Sequence, residues 1–212
     1  MIQKIKIVFA TLVVVFIVAF SFAIWHTYKQ NTIEAAEIET QEIVDTLEKI
    51  ISVTKPDFER ANNQTFINSV GECVNYIYNT TTDVFPVNFE LLLAQAALES
   101  AWGNSRFALE GRNLFGIRTY DLREPHMLPS NNPKKWGVRV YMHECDSVQH
   151  YIDILNNGSA FEEYRKLRDN GETDSLILTE TLGAYASDKD YFPKVKRIIK
   201  MLREDYDIPL IN

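Results

Sequence analysis

One carboxyl group stands where the sequence can give it unusual chemistry. Glu99 lies near the end of the apolar run Leu92–Gly103, which has the composition of a buried helix. Apolar surroundings raise the pKa of a carboxyl group, and the negative end of a helix dipole acts in the same direction. A carboxyl that keeps its proton near neutral pH can act as a general acid. On these residues alone, a glutamate that points into water is the alternative.

The sequence around Glu99 resembles a known signature. The stretch Leu91–Ile117 reads LLLAQAALESAWGNSRFALEGRNLFGI. It is similar to the signature of the glucosaminidases of glycoside hydrolase family 73, which include flagellar rod-cap hydrolases, autolysins and Bax-like proteins. The resemblance implies that Glu99 is the catalytic acid and that Asn113–Ile117 is the Asn-Leu-Phe-Gly-Ile element of the family. The Bax-like branch is the most similar, because a helical segment precedes the motif, as Pro56–Asn79 does here.

A second element near the end of the chain strengthens the resemblance. Tyr185–Tyr191 has the spacing of the Tyr-Ala-Thr-Asp-x-x-Tyr motif of the family, with Ser187 in place of threonine. The resemblance implies that Tyr185 faces the scissile bond, where a phenol can hydrogen-bond the N-acetyl group of the substrate or a developing charge. A core tyrosine with a satisfied hydroxyl is the alternative. With the intervening helices, the resemblance covers roughly residues 60–205.

The second catalytic group is less well defined. Many family members supply another glutamate from a β-hairpin between the two motifs. The segment Arg118–Gly137 offers Asp121 and Glu124, but its flanking residues do not align with such a hairpin. We take Glu124 as the candidate base that activates water. The alternative is assistance by the acetamido group of the substrate, oriented by Tyr185.

Several residues of the two motifs are candidates for binding the glycan, because the partly apolar faces of sugars stack on aromatic rings. The predicted substrate-binding residues are Trp102, Asn113, Phe115 and Tyr191, and Tyr120 and Trp136 are further aromatic candidates. Aromatic residues of this kind also build cores. Nothing marks the scattered histidines as metal ligands, and glycoside hydrolysis needs no cofactor, so we expect neither a metal nor a cofactor.

The first residues predict a membrane anchor. No charge interrupts Ile7–Trp25, a run of about 19 residues that, as a helix, just spans the roughly 30 Å hydrocarbon core of a bilayer. Two lysines precede the run and aromatic residues close it, which indicates an N-terminus inside the cell. We therefore expect residues 1–28 to cross the inner (cytoplasmic) membrane once, with the catalytic domain on the periplasmic or outer side. A cleaved signal peptide, with Ser21 and Ala23 at its cleavage site, is the alternative.

The rest of the chain predicts a helical stalk over residues 29–55 and one glucosaminidase-like catalytic domain over residues 56–212. Apolar residues recur at helical spacing through most of the domain, whereas prolines make residues 118–137 irregular. The expected fold is mainly α, and the resemblance implies a lysozyme-like α+β class. The predicted elements are helices at Pro56–Asn79, Phe89–Trp102, Asp146–Asn156, Ala160–Asn170, Asp174–Tyr185 and Tyr191–Tyr206, and a strand at Val138–Tyr141.

Composition narrows the classes of partner. The net charge of −7 disfavours non-specific binding of nucleic acid, which uses clustered Lys and Arg. For Cys73 and Cys145 the sequence favours two buried free thiols, since free cysteine is among the most buried residue types. A disulfide in an oxidising compartment is the alternative. The expected partners are peptidoglycan glycan strands and the lipid bilayer, with no nucleic acid.

Together these features predict a peptidoglycan hydrolase. The resemblance implies an endo-β-N-acetylglucosaminidase, similar to the mannosyl-glycoprotein endo-β-N-acetylglucosaminidases, that cleaves β-1,4 bonds with Glu99 as general acid. A lytic transglycosylase also uses a Glu-Ser pair at a helix end and is the runner-up. A membrane-tethered glycan-binding or scaffold module without catalysis is the alternative from another class.

Overall fold

The computed structural model of the chain divides it into two compact units, Met1–Ile51 and Ser52–Asn212. The structure describes residues 21–22, 24–31, 37–38, 40–47, 50, 54–130, 135–183 and 190–211, and the described residues of the first unit are helical. The predicted anchor over residues 1–28 falls mostly outside this set. No helix within the described ranges is long and apolar enough to cross a bilayer.

The second unit is mainly helical and carries one small sheet, which confirms the predicted class at this level. Its helices are α1 (Asn63–Thr80), α2 (Phe89–Ser100), α3 (Arg106–Gly111), α4 (Glu144–Asn157), α5 (Glu162–Asp169), α6 (Ser175–Leu178) and α7 (Tyr191–Asp205), with 3-10 turns at Ser159–Phe161 and Thr179–Thr181. The helix predicted to begin at Pro56 begins at Asn63, where the Asn62 side chain caps it. The helix predicted from Asp174 is shorter than expected and continues as a 3-10 turn.

The helix that carries Glu99 lies at the centre of this unit. Every residue of α2 from Leu91 to Ala97 is buried, and a helix that is apolar all round must be covered all round. Helices α1, α6 and α7 contact it, α7 most extensively. The predicted N-cap is confirmed, because the Asn88 side chain accepts a hydrogen bond from the Leu91 N–H at 2.9 Å.

The end of α2 is a tight left-handed turn. The helix was predicted to run to Trp102, but it ends at Ser100 because Ala101, Trp102 and Gly103 have φ values of 51°, 58° and 78°. Non-glycine residues rarely adopt this conformation, so it needs support from its surroundings. The Ser100 hydroxyl supplies support: it donates to the Ala96 carbonyl at 2.6 Å and accepts from the Gly103 N–H at 2.7 Å.

The segment predicted to be irregular contains a three-stranded antiparallel sheet. Its strands are β1 (Arg118–Thr119), β2 (His126–Met127) and β3 (Gly137–Arg139), in the order β1-β3-β2. Strand β3 overlaps the predicted strand at Val138–Tyr141. Strands of two or three residues are too short to show an alternating pattern, which is why the sequence predicted mostly loop here.

Cys73 and Cys145 form a disulfide, so the favoured expectation of free thiols is wrong. The two residues lie on α1 and α4, are almost fully buried and have Cα atoms 4.9 Å apart. Packing of α1 against α4 brings them together. Their sequence separation of 72 residues carried no signal of that packing.

We expect reduction of this disulfide to lower the free energy of unfolding by about 4 kcal/mol, because it releases a long loop in the unfolded chain. The measurement is denaturant unfolding of the full-length chain with and without reductant. The control is Cys73→Ala with Cys145→Ala, whose transition should match the reduced wild type and ignore reductant. An unfolding midpoint that does not move on reduction of the wild type would contradict the prediction.

Candidate active site

The carboxyl group of Glu99 lies half-buried at the C-terminal end of α2. A Cβ atom built on Gly116 would lie 3.7 Å from its Oε2, so the backbone of the Asn113–Ile117 loop lies directly against this carboxyl. Gly116 has a φ of 64°, a conformation that favours glycine. Two sequence elements that flank α3 therefore meet at one carboxyl group.

A chain of buried hydrogen bonds holds Glu99 from the protein side. The Tyr191 hydroxyl hydrogen-bonds the Glu99 carboxyl and accepts from Gln95 Nε2 at 2.7 Å. The Tyr151 hydroxyl in turn donates to Gln95 Oε1. Tyr191, predicted to bind substrate, is only 5% exposed and holds the Glu99 carboxyl from the protein side in this structure.

Gln95 and Tyr151 were not among the predicted site residues. Gln95 had a detectable signal, since it lies four residues before Glu99 and therefore on the same helix face. It is also the polar residue within the buried run Leu91–Ala97, where an amide requires partners. Tyr151 had no comparable signal, because only the packing of α4 brings it to Gln95.

The surroundings of Glu99 favour its protonated form. Burial raises the pKa of the Glu99 carboxyl, and the hydrogen bond from Tyr191 partly offsets that rise because it stabilises the ionised form. Burial, and next the charge of Glu99, also raise the pKa of Tyr191, so its hydroxyl remains a donor. A carboxyl that retains its proton to higher pH than usual can protonate a leaving group.

Asn113 and Phe115, which were predicted to bind substrate, are 1% and 2% exposed and organise the loop in this structure. Asn113 Nδ2 donates to the carbonyls of Ile117 and Arg139, each at 2.9 Å. Its Oδ1 accepts from the N–H groups of Phe115 and Ile117, so the whole amide is engaged by backbone. Phe115 stacks on Tyr151 with ring centroids 4.2 Å apart.

Trp102, another predicted substrate-binding residue, packs within the protein. It is half-buried, and its ring centroid lies 5.9 Å from that of Phe66 and 5.7 Å from that of Tyr206. Arg60 adds support to the same turn by donating to the Gly103 carbonyl at 3.3 Å. These contacts fix the turn that follows Glu99.

Glu124 lies half-buried between β1 and β2. Its Oε2 accepts from Thr119 Oγ1 and from Arg139 Nη2, each at 2.6 Å. The backbone of Arg139 is tied to the Asn113–Ile117 loop, since its N–H donates to the Ile117 carbonyl at 2.9 Å. Arg139 therefore links Glu124, the candidate base, to the loop that lies against Glu99. Asp121, the other carboxylate of this segment, pairs with the exposed Arg123.

Tyr185 belongs to residues 184–189, which lie outside the described ranges, so its position stays a prediction.

Among the described residues, Cys73, His143 and Cys145 have potential metal-ligand atoms within 4.8 Å of one another. The disulfide occupies both sulfur atoms of that group, so neither cysteine offers a thiolate.

Comparison with known proteins gives a match over the region just described. Residues 76–204, more than half of the chain, match the glucosaminidase family, described as mannosyl-glycoprotein endo-beta-N-acetylglucosaminidase. This range contains Glu99, the Asn113–Ile117 loop, Glu124 and Tyr191. The family match therefore includes the residues that the structure brings together around the carboxyl group.

Three curated relatives are similar to this chain. Exo-glucosaminidase LytG of Bacillus subtilis (strain 168) is 26% identical over 176 residues, which are 78% of this chain and 59% of LytG. Peptidoglycan hydrolase FlgJ of Vibrio parahaemolyticus serotype O3:K6 (strain RIMD 2210633) is 33% identical over 125 residues, 51% of this chain and 38% of FlgJ. Protein bax of Escherichia coli (strain K12) is 32% identical over 87 residues, 41% of this chain and 29% of that protein. The chain thus spans less than two thirds of the length of each relative.

A solved structure shares the fold. The catalytic domain of the autolysin Auto from Listeria monocytogenes has a TM-score of 0.51 and 24% sequence identity, over 77% of this chain and 94% of that domain. A mainly helical unit with a small sheet is therefore a known architecture. On the match over residues 76–204, the chain belongs to the glucosaminidase family, glycoside hydrolase family 73, with a Bax-like protein among its relatives.

Proposed function

We propose that this protein is a peptidoglycan hydrolase that cleaves β-1,4 bonds after N-acetylglucosamine by general acid catalysis. One observation carries the proposal: a carboxyl group of raised pKa lies against the Gly116 backbone and is held by Tyr191. Glu99 would donate its proton to the glycosidic oxygen as the bond breaks and positive charge develops on the sugar ring. The glycan strands of the cell wall are the proposed partner.

Glu124 is the proposed second group, which activates the attacking water. Its bonds to Thr119 and Arg139 fix the orientation of the carboxylate, as a catalytic base requires. Tyr185 is proposed to orient the acetamido group of the substrate. If Glu124 is not the base, the acetamido group of the substrate assists the reaction in place of a second carboxylate. The separation of the two carboxylates indicates the stereochemical course of the reaction: about 6.5–9.5 Å suits inversion and about 5–5.5 Å suits retention at the anomeric carbon.

The names of the relatives support the substrate class, but they differ on whether cleavage is exo or endo. FlgJ carries the name peptidoglycan hydrolase, which supports a cell-wall glycan as the substrate. LytG is named an exo-glucosaminidase, whereas the family description is that of an endo-glucosaminidase. We propose endo cleavage, which releases internal fragments of mixed length rather than single terminal sugars.

We also propose that residues 1–28 anchor the enzyme in the cytoplasmic membrane with the catalytic domain outside. The uncharged run Ile7–Trp25 supports the anchor, and the Cys73–Cys145 disulfide supports an oxidising compartment. We expect the full-length chain in carbonate-washed membranes, and digestion of the domain by protease added to spheroplasts. A shortened, soluble chain would instead indicate a cleaved signal peptide, and protection from protease would reverse the proposed orientation.

Glu99→Gln removes the proton donor while keeping the size and polarity of the side chain. In digests of purified peptidoglycan by the full-length chain, we expect reducing N-acetylglucosamine ends from the wild type. The variant should lose at least about 100-fold of this rate with a Tm no lower than that of the wild type. Product mass spectrometry is the measurement. Retained turnover in a folded Glu99→Gln protein would remove Glu99 from the mechanism.

Companion variants and products make the same experiment more specific. Glu124→Gln should lower the rate if Glu124 is the base, whereas Asp121→Asn, a matched change on the same loop, should have little effect because Asp121 pairs with exposed Arg123. Anhydromuramic products would identify a lytic transglycosylase. A folded wild type that binds glycan without releasing products would identify a binding module.

The pH dependence of kcat/KM tests the environment of Glu99. Activity requires the protonated carboxyl, so it falls as pH rises through the Glu99 pKa. Tyr191→Phe removes a hydrogen bond that lowers this pKa, and we therefore expect the basic limb to move to higher pH. Tyr164→Phe is the control, since this buried tyrosine accepts a hydrogen bond from the N–H of Asn88, at the opposite end of α2 from Glu99. A basic limb that stays in place, or moves to lower pH, in Tyr191→Phe would contradict the assignment.

A further inference from the structure

Two aromatic residues, the exposed Tyr120 and the half-buried Trp136, flank the sheet next to the candidate active site. Strands β1 and β3 pair Arg118 with Val138 and Thr119 with Gly137, so the next positions on this ladder are Tyr120 and Trp136. Residues opposite each other on antiparallel strands share one face. The Arg118 guanidinium lies 4.0 Å from the centroid of the Trp136 ring. We call Arg118, Tyr120 and Trp136 the aromatic platform.

Part of the platform and its neighbours is exposed apolar surface, whereas Trp136 is half-buried. The Tyr120 side chain is 71% exposed, and Leu122 and Leu128 on the same short segment are 41% and 47% exposed. Single exposed apolar residues are ordinary, but a cluster of them marks a binding surface. Arg118 supplies polar donors at the edge of the cluster and holds the Trp136 ring by a cation–π contact.

A short stretch of chain, held to β3 by a hydrogen bond, connects the platform to the loop that lies against Glu99. The Gly116 backbone lies against the Glu99 carboxyl, and two residues of chain span at most about 7 Å from Gly116 to Arg118. Tyr120 lies at most about 14 Å from Gly116 by the same measure. The bond from the Arg139 N–H to the Ile117 carbonyl holds this path to β3.

We propose that Arg118, Tyr120 and Trp136 form a glycan-binding subsite that holds a sugar unit of the strand beside the bond being cut. The aromatic rings suit the apolar C–H face of a pyranose, and the guanidinium N–H groups suit its hydroxyl or acetamido oxygens. This inference rests on the proposed function for the identity of the glycan. It goes beyond that function by assigning substrate binding to the sheet rather than to the buried motif residues Asn113 and Phe115.

A second exposed aromatic residue provides a matched control. Phe85 is 66% exposed and has the Arg168 guanidinium 5.7 Å from its ring centroid, so its local chemistry resembles that of the platform. It precedes α2, however, whereas Glu99 lies at the other end of that helix. The 12 residues of α2 separate the two ends by about 18 Å.

The test is co-sedimentation of the full-length chain, carrying Glu99→Gln, with insoluble peptidoglycan. On this background we expect Tyr120→Ala and Trp136→Ala each to raise the apparent Kd roughly threefold to tenfold. Trp136→Phe, which keeps a ring, should largely restore binding, and Phe85→Ala should bind like its parent. Unchanged binding in both Tyr120→Ala and Trp136→Ala, or an equal loss in Phe85→Ala, would overturn the proposal.

Failure of the subsite and failure of the proposed function remain distinguishable. Sedimentation uses a chain without the acid, so it reports on binding even if the wild type hydrolyses nothing. In chains with Glu99 intact, the loss should fall on KM more than on kcat. If Trp136→Ala fails to fold, Tyr120→Ala decides, because its side chain is mostly solvent-exposed. Ring variants that change the oligomeric state but not sedimentation would assign the surface to protein contact and overturn the proposal.

Discussion

The hydrogen bonds of the Gln95 amide connect the packing of this domain to its chemistry. Gln95 is fully buried, and an unsatisfied amide there would cost about 1–3 kcal/mol. Its partners, Tyr151 and Tyr191, come from α4 and α7, so the amide is satisfied only when both helices pack against α2 in this arrangement. Since Tyr191 also contacts Glu99, the packing that buries Gln95 also positions the carboxyl.

This arrangement links the protonation of Glu99 to stability. Burial raises the pKa of Glu99 above its value in the unfolded chain, so the folded state binds the proton more tightly. The group contributes stability below the unfolded pKa of about 4.3, and that contribution is lost as pH rises through the folded pKa. The bond from Tyr191 moderates the loss because it favours the ionised form. A buried carboxyl of raised pKa is therefore a local weakness of the fold near neutral pH.

What the sequence predicted well was local. The cap at Asn88 and the helix that bears Glu99 follow from neighbouring residues, and the turn that ends this helix was missed by only two residues. What it missed depends on orientation or on distant packing. The backbone hydrogen bonds that engage the whole Asn113 amide were not predicted, because spacing does not reveal where a side chain points. The disulfide and the role of Tyr151 required the packing of α4, which no local pattern contains.

The hydrogen bonds of Asn113 explain how the carboxyl groups of Glu99 and Glu124 can keep fixed positions relative to each other. Its Nδ2 joins the carbonyl of Ile117, at the end of the loop against Glu99, to that of Arg139 on β3. The Arg139 side chain then holds Glu124. A single amide thus ties the loop over the acid to the residue that orients the candidate base. Because the separation of two carboxylates selects the course of glycoside hydrolysis, the backbone bonds of Asn113 would help to set that course under the proposed mechanism.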